Sequence, residues 1–194
     1  MTRPLLLILS ALAVAGSAGR VTASDEEKIR LTITGGHVTD ARDRGRPVVL
    51  IAHALGVTPD VFRDAFSHVH PAPRGVDPDP AEVRRNKAAL LGALASYGVT
   101  NDLLDRVSDY YRYPPGSDRL WPTKPATAYV TMTGGAVGAV TVVEPGSGYS
   151  SLPEVLVPGH PEIALKATLA FGRDLGKNGA VASISLDGSA NRGR

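Results

Sequence analysis

The chain has 194 residues, 43% hydrophobic and 21% charged, enough apolar content for a core and too much for disorder. Its formal charge of +2 arises from 21 basic and 19 acidic side chains. Arg3 and Arg20 lie in an expected signal peptide, so the mature chain is formally neutral and carries no global field for nucleic acid or an anionic membrane. Cysteine is absent, which removes disulfides, thiolate metal sites and a lipobox thiol.

Residues 1–23 read as a secretory signal: Arg3 is the positive start, Leu5 to Ala15 the apolar stretch, and cleavage fits best after Val21-Thr22-Ala23, with Ala18 second. The apolar stretch falls short of the roughly 20 residues that span a bilayer, so no membrane span is expected after its removal. An exported protein follows, periplasmic or extracellular.

Ile29, Leu31 and Ile33 alternate with Lys28, Arg30, Thr32 and Thr34, the period of a strand with one wet face, and Gly35-Gly36 ends it. His37 to Arg46 is polar and predicts a surface loop. Val48 to Leu55 predicts a short apolar helix stopped by Gly56. Thr58 should cap the next helix, with Pro59 in its first turn and Val61, Phe62, Ala65, Phe66 and Val69 as its apolar stripe. Asp79-Pro80-Ala81-Glu82 has the capping-box spacing and announces a third helix, with Val83, Leu90, Leu91, Leu94 and Tyr97 on its buried side.

Gly98-Val99-Thr100-Asn101-Asp102 then repeats Gly56-Val57-Thr58-Pro59-Asp60 at an offset of 42 residues, followed by Leu103, Leu104, Val107, Tyr110 and Tyr111. Two helix-turn-helix units are therefore expected to pack together as a four-helix domain over residues 24–112, joined by an exposed linker from Pro71 to Pro80. A proline-rich linker over 113–126 should mark the domain boundary.

Strand periodicity takes over from there: Ala128 to Thr133, Ala136 to Val143, Glu154 to Val157, Ile163 to Phe171 and Ala180 to Leu186. The phrase Gly135-Ala-Val returns at Gly179-Ala-Val, a sign of internal repetition. The fold class expected is α+β, a small helical domain followed by a short antiparallel β-module over 127–187, with a flexible tail at 188–194.

Glu144-Pro145-Gly146-Ser147-Gly148-Tyr149-Ser150-Ser151-Leu152-Pro153-Glu154-Val155 resembles the Gly-Ser-Gly-Tyr-Thr-x-x-Pro-x-Val repeat of many bacterial extracellular and phage structural proteins. The resemblance implies a strand entering a glycine turn, with the tyrosine packed before the next strand. The second copy lacks the tyrosine, as Leu186 is followed by Asp-Gly-Ser-Ala-Asn. The chain also resembles a group of uncharacterised secreted bacterial proteins that join a helical domain to such a module. Gly35-Gly36-His37, Arg46-Pro47-Val48-Val49-Leu50-Ile51-Ala52, Arg85-Asn86-Lys87-Ala88-Ala89-Leu90 and Tyr110-Tyr111-Arg112-Tyr113 carry that likeness, which implies an architecture and no activity.

No catalytic residue is assigned. Gly146-Ser147-Gly148 lacks the Gly-x-Ser-x-Gly elbow of a serine nucleophile and reads as a turn. His53, His68 and His70 lack the spacing of a helical zinc motif, and Asp102, Asp105 and Asp109 lack the alternating loop oxygens of a calcium site, so neither a metal nor another cofactor is expected. Two sets remain as candidate ligand-binding residues. His37, Asp40 and Arg42 combine imidazole, carboxylate and guanidinium on a loop, the groups that a secreted hydrolase or metal-dependent enzyme would need. Tyr110, Tyr111, Tyr113 and Trp121 concentrate aromatic surface that stacks on sugars in a carbohydrate-binding module, or that joins the helices to the strands. The preferred reading is a non-enzymatic envelope or extracellular interaction protein, monomeric, with an unknown protein or glycan partner and no nucleic acid.

Overall fold

The computed structural model describes residues 26–70, 76–77, 79–112 and 119–188. The expected signal peptide over residues 1–23, Tyr113 with the following residues to 118, most of the Pro71 to Pro80 linker and the tail from 189 lie outside the described residues. The chain is mixed α+β, with four α-helices among the described residues of its N-terminal part and most described strands in its C-terminal part.

Helix α1 (Val48–Leu55) is apolar nearly all round, which suits a helix covered on more than one side. α2 (Pro59–Ser67) and α4 (Asn101–Tyr110) pack against it, and α3 (Pro80–Leu94) packs on α2. The repeat found in the sequence is a repeat of geometry. Gly56 and Gly98 both take the left-handed conformation that ends a helix, at φ 80° and 76°. Val57 and Val99 are both buried, and the hydroxyls of Thr58 and Thr100 accept from Val61 N and Leu103 N at 3.3 Å each. The same offset relates the buried pairs Phe62 and Leu104, and Ala65 and Val107.

α3 departs from its expected burial. Leu94 is its one buried residue, Leu90 and Leu91 are half-buried, and Val83 and Tyr97 are exposed. Val83 sits in the first turn, before the helix reaches the core. Tyr97 belongs to a 3-10 turn (Ala95–Tyr97), whose tighter winding breaks the 3.6-residue phase that had placed it with Leu94. Asp79 does cap α3, accepting from Ala81 N at 3.0 Å, while Glu82 pairs with Arg85 instead of closing the capping box.

The N-terminal strand is two strands, β1 (Glu26–Arg30) and β2 (Thr32–Gly35), with Leu31 buried between them. Sequence reading grouped this segment with the helices. In the fold it pairs with strands more than ninety residues away: β1 runs antiparallel to β3 (Thr127–Thr133), Ile29 opposite Val130, and β2 to β5 (Pro153–Leu156), Ile33 opposite Val155. β3 forms a hairpin with β4 (Ala136–Glu144) through Gly134-Gly135, both at positive φ, and β6 (Leu165–Ala170) pairs with β7 (Ala180–Leu186). β4 lies beside β7, tied by Val181 N to Pro145 O at 2.8 Å, and β5 lies beside β6. The strands thus form three hydrogen-bonded sheets, β1-β3-β4, β2-β5 and β6-β7, set side by side through the β4–β7 and β5–β6 contacts. Leu31, Val130, Met132, Tyr149, Val155, Ala167, Val181 and Ile184 belong to the one apolar cluster that these strands share. In chain order the helices are inserted between β2 and β3.

Candidate functional site

The turn Gly146-Ser147-Gly148-Tyr149-Ser150-Ser151 gathers the remote parts of the chain. Ser147 exchanges both main-chain bonds with Lys124 at 3.0 Å, Gly148 N donates to Asn178 O at 2.8 Å, and Tyr149 N donates to Gly179 O at 3.0 Å. Ser150 N and Ser151 N both donate to Gly36 O, at 2.9 and 3.1 Å. Glycine is required at position 148, where φ is 84° and a Cβ would stand 2.6 Å from Pro122 O. The Tyr149 ring is buried and its hydroxyl accepts from Ala126 N at 2.8 Å, so the tyrosine ties the turn before β5 to the segment that leads into β3.

His37 stacks on Tyr149 with ring centroids 5.2 Å apart and lies tilted to Trp121 at 6.3 Å. Its Nε2 is buried without a hydrogen-bond partner among the described residues, and burial lowers the imidazole pKa. A neutral ring is therefore favoured, since a charged one would lose hydration with no acceptor in return.

The loop after His37 is more structured than its composition suggests. It contains a 3-10 turn (Ala41–Asp43) capped by Asp40, and Asp43 is buried. Arg63 on α2 grips Asp43 with two bonds of 2.8 and 2.9 Å and reaches Asp60 at 2.8 Å. These carboxylates, Asp43 first, raise the Arg63 pKa above its ordinary value. Asp40 accepts from Arg42 through three side-chain bonds of 2.7 to 3.1 Å and one main-chain bond of 2.9 Å. The Arg42 guanidinium, followed by its N–H, holds the Asp40 carboxyl well below the usual range. A shallow cavity of about 120 Å³ lies beside this network, lined by Asp40, Asp43, Arg46, Arg63, the start of α1 and Ser150. His37 faces the aromatic side of the loop and is not among its lining residues, so the loop does not bring its three candidates into one site.

The aromatic candidates are placed by tertiary packing. Trp121 and Tyr111 are each 3% exposed, with Trp121 Nε1 donating to Gly148 O at 2.8 Å and the Tyr111 hydroxyl accepting from Asn178 Nδ2 at 2.8 Å. Burial pushes the Tyr111 phenol up to about 12. Tyr110 is half-buried, edge-on to Tyr111 at 5.0 Å, and Tyr113 lies outside the described residues. Trp121 and Tyr111 therefore offer no free face for sugar stacking, and they join helices to strands.

Asn178 is the residue that sequence reading missed. It is 1% exposed, and its Nδ2 also donates to Leu50 O at 2.7 Å while its Oδ1 accepts from Gly172 N at 3.1 Å. An Asn-Gly pair signals a turn, and nothing in the sequence says that this turn is buried against α1. Among the described residues no group of three or more His, Asp and Glu side chains is arranged to hold a metal. His53 instead stacks on Phe171 at 4.8 Å, and Ser67 Oγ donates to Asp64 O in its own helix. No helix among the described residues is long and apolar enough to cross a membrane. Comparison of the chain with protein-family models, curated proteins and solved structures gives no match.

Proposed function

We propose that the protein is an exported, non-enzymatic interaction element of the envelope or extracellular space, acting as a monomer that presents a fixed apolar contact to a protein partner. Val38 supports this reading. It is 72% exposed, yet its N–H donates to Ser151 Oγ at 3.1 Å and its carbonyl accepts from Ser150 Oγ at 3.0 Å. Leu152, 54% exposed, follows directly after those serines. An apolar residue held out into water by bonds on both its N–H and its carbonyl loses little freedom on binding, which favours contact with a partner. Charged and aromatic groups of the loop and of the junction are engaged within the fold: Asp40 with Arg42, Asp43 with Arg63, Trp121 with Gly148.

The test combines export with contact. Sequencing the N-terminus of the exported form from the producing organism should give Ser24. A photo-crosslinking residue at position 38 should yield a discrete protein adduct, whereas the same residue at Val143, which is 56% exposed on β4, should not. Equal labelling at both positions, retention of the leader, or a hydrolytic activity lost in His37→Ala would overturn the reading.

A further inference from the structure

Asn178-Gly179 stands where helices and strands meet. Asn178 binds the Leu50 carbonyl in α1 and the Tyr111 hydroxyl at the end of α4 through Nδ2, Gly172 N through Oδ1, and Gly148 N through its own carbonyl. Gly179 donates to Ala170 O at 3.0 Å, and at φ +68° its missing Cβ leaves room for Tyr149 O, which such an atom would approach to 2.4 Å. The lock needs the two amide donors and the acceptor of an asparagine, and the next position needs a glycine. The fold is thereby obliged to contain Asn-Gly, the pair in which asparagine is most exposed to attack, because glycine offers no side chain to shield its amide nitrogen.

The reaction is intramolecular. Gly179 N loses its proton and attacks Asn178 Cγ; the Cγ–Nδ2 bond breaks and ammonia leaves, giving a cyclic imide. Water then opens the imide to aspartate or isoaspartate, so the balance is one water in and one ammonia out. In the docked fold both reacting groups are held. The Gly179 proton is bound to Ala170 O, and Nδ2 is fixed between two acceptors, so ring closure requires breaking all three bonds.

We propose that Asn178 is a deamidation site kept unreactive by docking of the helices on the strands, and that reaction in the separated state makes the loss of docking permanent. The product carboxylate has no proton for Leu50 O and sets two oxygens against each other in a buried site. The Tyr111 hydroxyl can rotate and donate, so one contact is recoverable and the other is not. Isoaspartate also lengthens the backbone, so the bonds from Gly148 N to Asn178 O and from Tyr149 N to Gly179 O lose their common register.

The experiment follows the mass of the peptide containing residue 178 in the full-length chain, held in mildly alkaline buffer either folded or unfolded in denaturant. Conversion in the folded protein should be slower by at least about tenfold, the signature of reaction through local opening. Chains that have converted should fail to regain the Trp121 spectrum after denaturant is removed, while unconverted chains regain it. Equal rates in the two arms, or full recovery of converted chains, would overturn the proposal. Asn178→Asp should melt below wild type at neutral pH and recover part of the loss in acid, where a protonated carboxyl donates to Leu50 O. A neutral-pH melting point equal to wild type would also overturn it, and if this variant does not fold, the rate comparison on wild type decides alone.

Discussion

The two Gly-Ala-Val phrases allow a close approach to be measured against its own internal control. Gly135 and Gly179 both sit at positive φ, 79° and 68°, immediately before β4 and β7. Alanine at either position takes on left-handed strain of about 1 kcal/mol. At Gly135 nothing lies within 4 Å of the added Cβ, so the strain is the whole cost. At Gly179 the Cβ would fall 2.4 Å from Tyr149 O, 2.6 Å from Leu50 Cδ2 and 2.9 Å from Tyr149 N. Two of those atoms are backbone in a hydrogen-bonded turn and the third belongs to a fully buried leucine, so relief by side-chain movement is limited. Overpacking adds about 1–3 kcal/mol, making the expected loss about 2–4 kcal/mol at Gly179→Ala against about 1 at Gly135→Ala. The melting point should fall by roughly 4–16 °C in the first and 2–4 °C in the second. Urea titration followed by fluorescence of Trp121, the sole tryptophan, together with far-UV circular dichroism, measures both. Equal losses would refute the argument that Gly179 is fixed by contact with Tyr149 and Leu50.

Three further outcomes are expected. Asp43→Asn keeps the shape of the side chain but weakens two short bonds from Arg63 to a buried group, and should cost about 1–3 kcal/mol in urea titration. Asp60→Asn touches the same arginine at an exposed carboxylate and should cost much less; a reversed order would argue against the buried pair as the anchor of the loop. Thr58→Ala and Thr100→Ala should each cost about 1 kcal/mol and agree with one another, since their capping bonds are both 3.3 Å; a marked difference in melting point would show that the repeat is not energetic. Burial lowers the pKa of His37 and of His53 from 6.5, so below that value the unfolded chain binds more protons than the folded one. Their contribution is whole above the unfolded pKa and is lost as pH falls towards the lowered folded values. His37→Phe should flatten that slope in melting points taken across the window, and an unchanged slope would remove His37 as a contributor.

Much of the local structure was legible because its causes are local. Helix starts at Thr58, Asp79 and Thr100 follow from side-chain oxygens that reach main-chain donors a few residues on, and the stops at Gly56 and Gly98 from a conformation that glycine adopts without steric cost. Five strands in the C-terminal half were legible from alternation, and β5, buried at every other residue, shows why. Burial along α3 was misjudged at Tyr97 because a 3-10 turn changes the period, and periodicity cannot announce its own interruption.

Of the candidate site, the sequence alone indicated the aromatic junction and the charged loop, since clustering of residue types is visible without a fold. It determined the four α-helices, the caps at Thr58, Asp79 and Thr100 and the helical repeat, which rest on interactions within a few residues. The tertiary structure decided the rest. Pairing of β1 and β2 with β3 and β5 joins residues about a hundred positions apart, and hydrogen bonds between strands carry no identity that a sequence could display. The same holds for Asp43, Trp121, Tyr111 and Asn178, polar or amphipathic side chains that the sequence leaves free to face water. Each is buried because a partner arrives from elsewhere in the chain to satisfy it: Arg63 for Asp43, Gly148 for Trp121, and Asn178 itself for Tyr111 and Leu50.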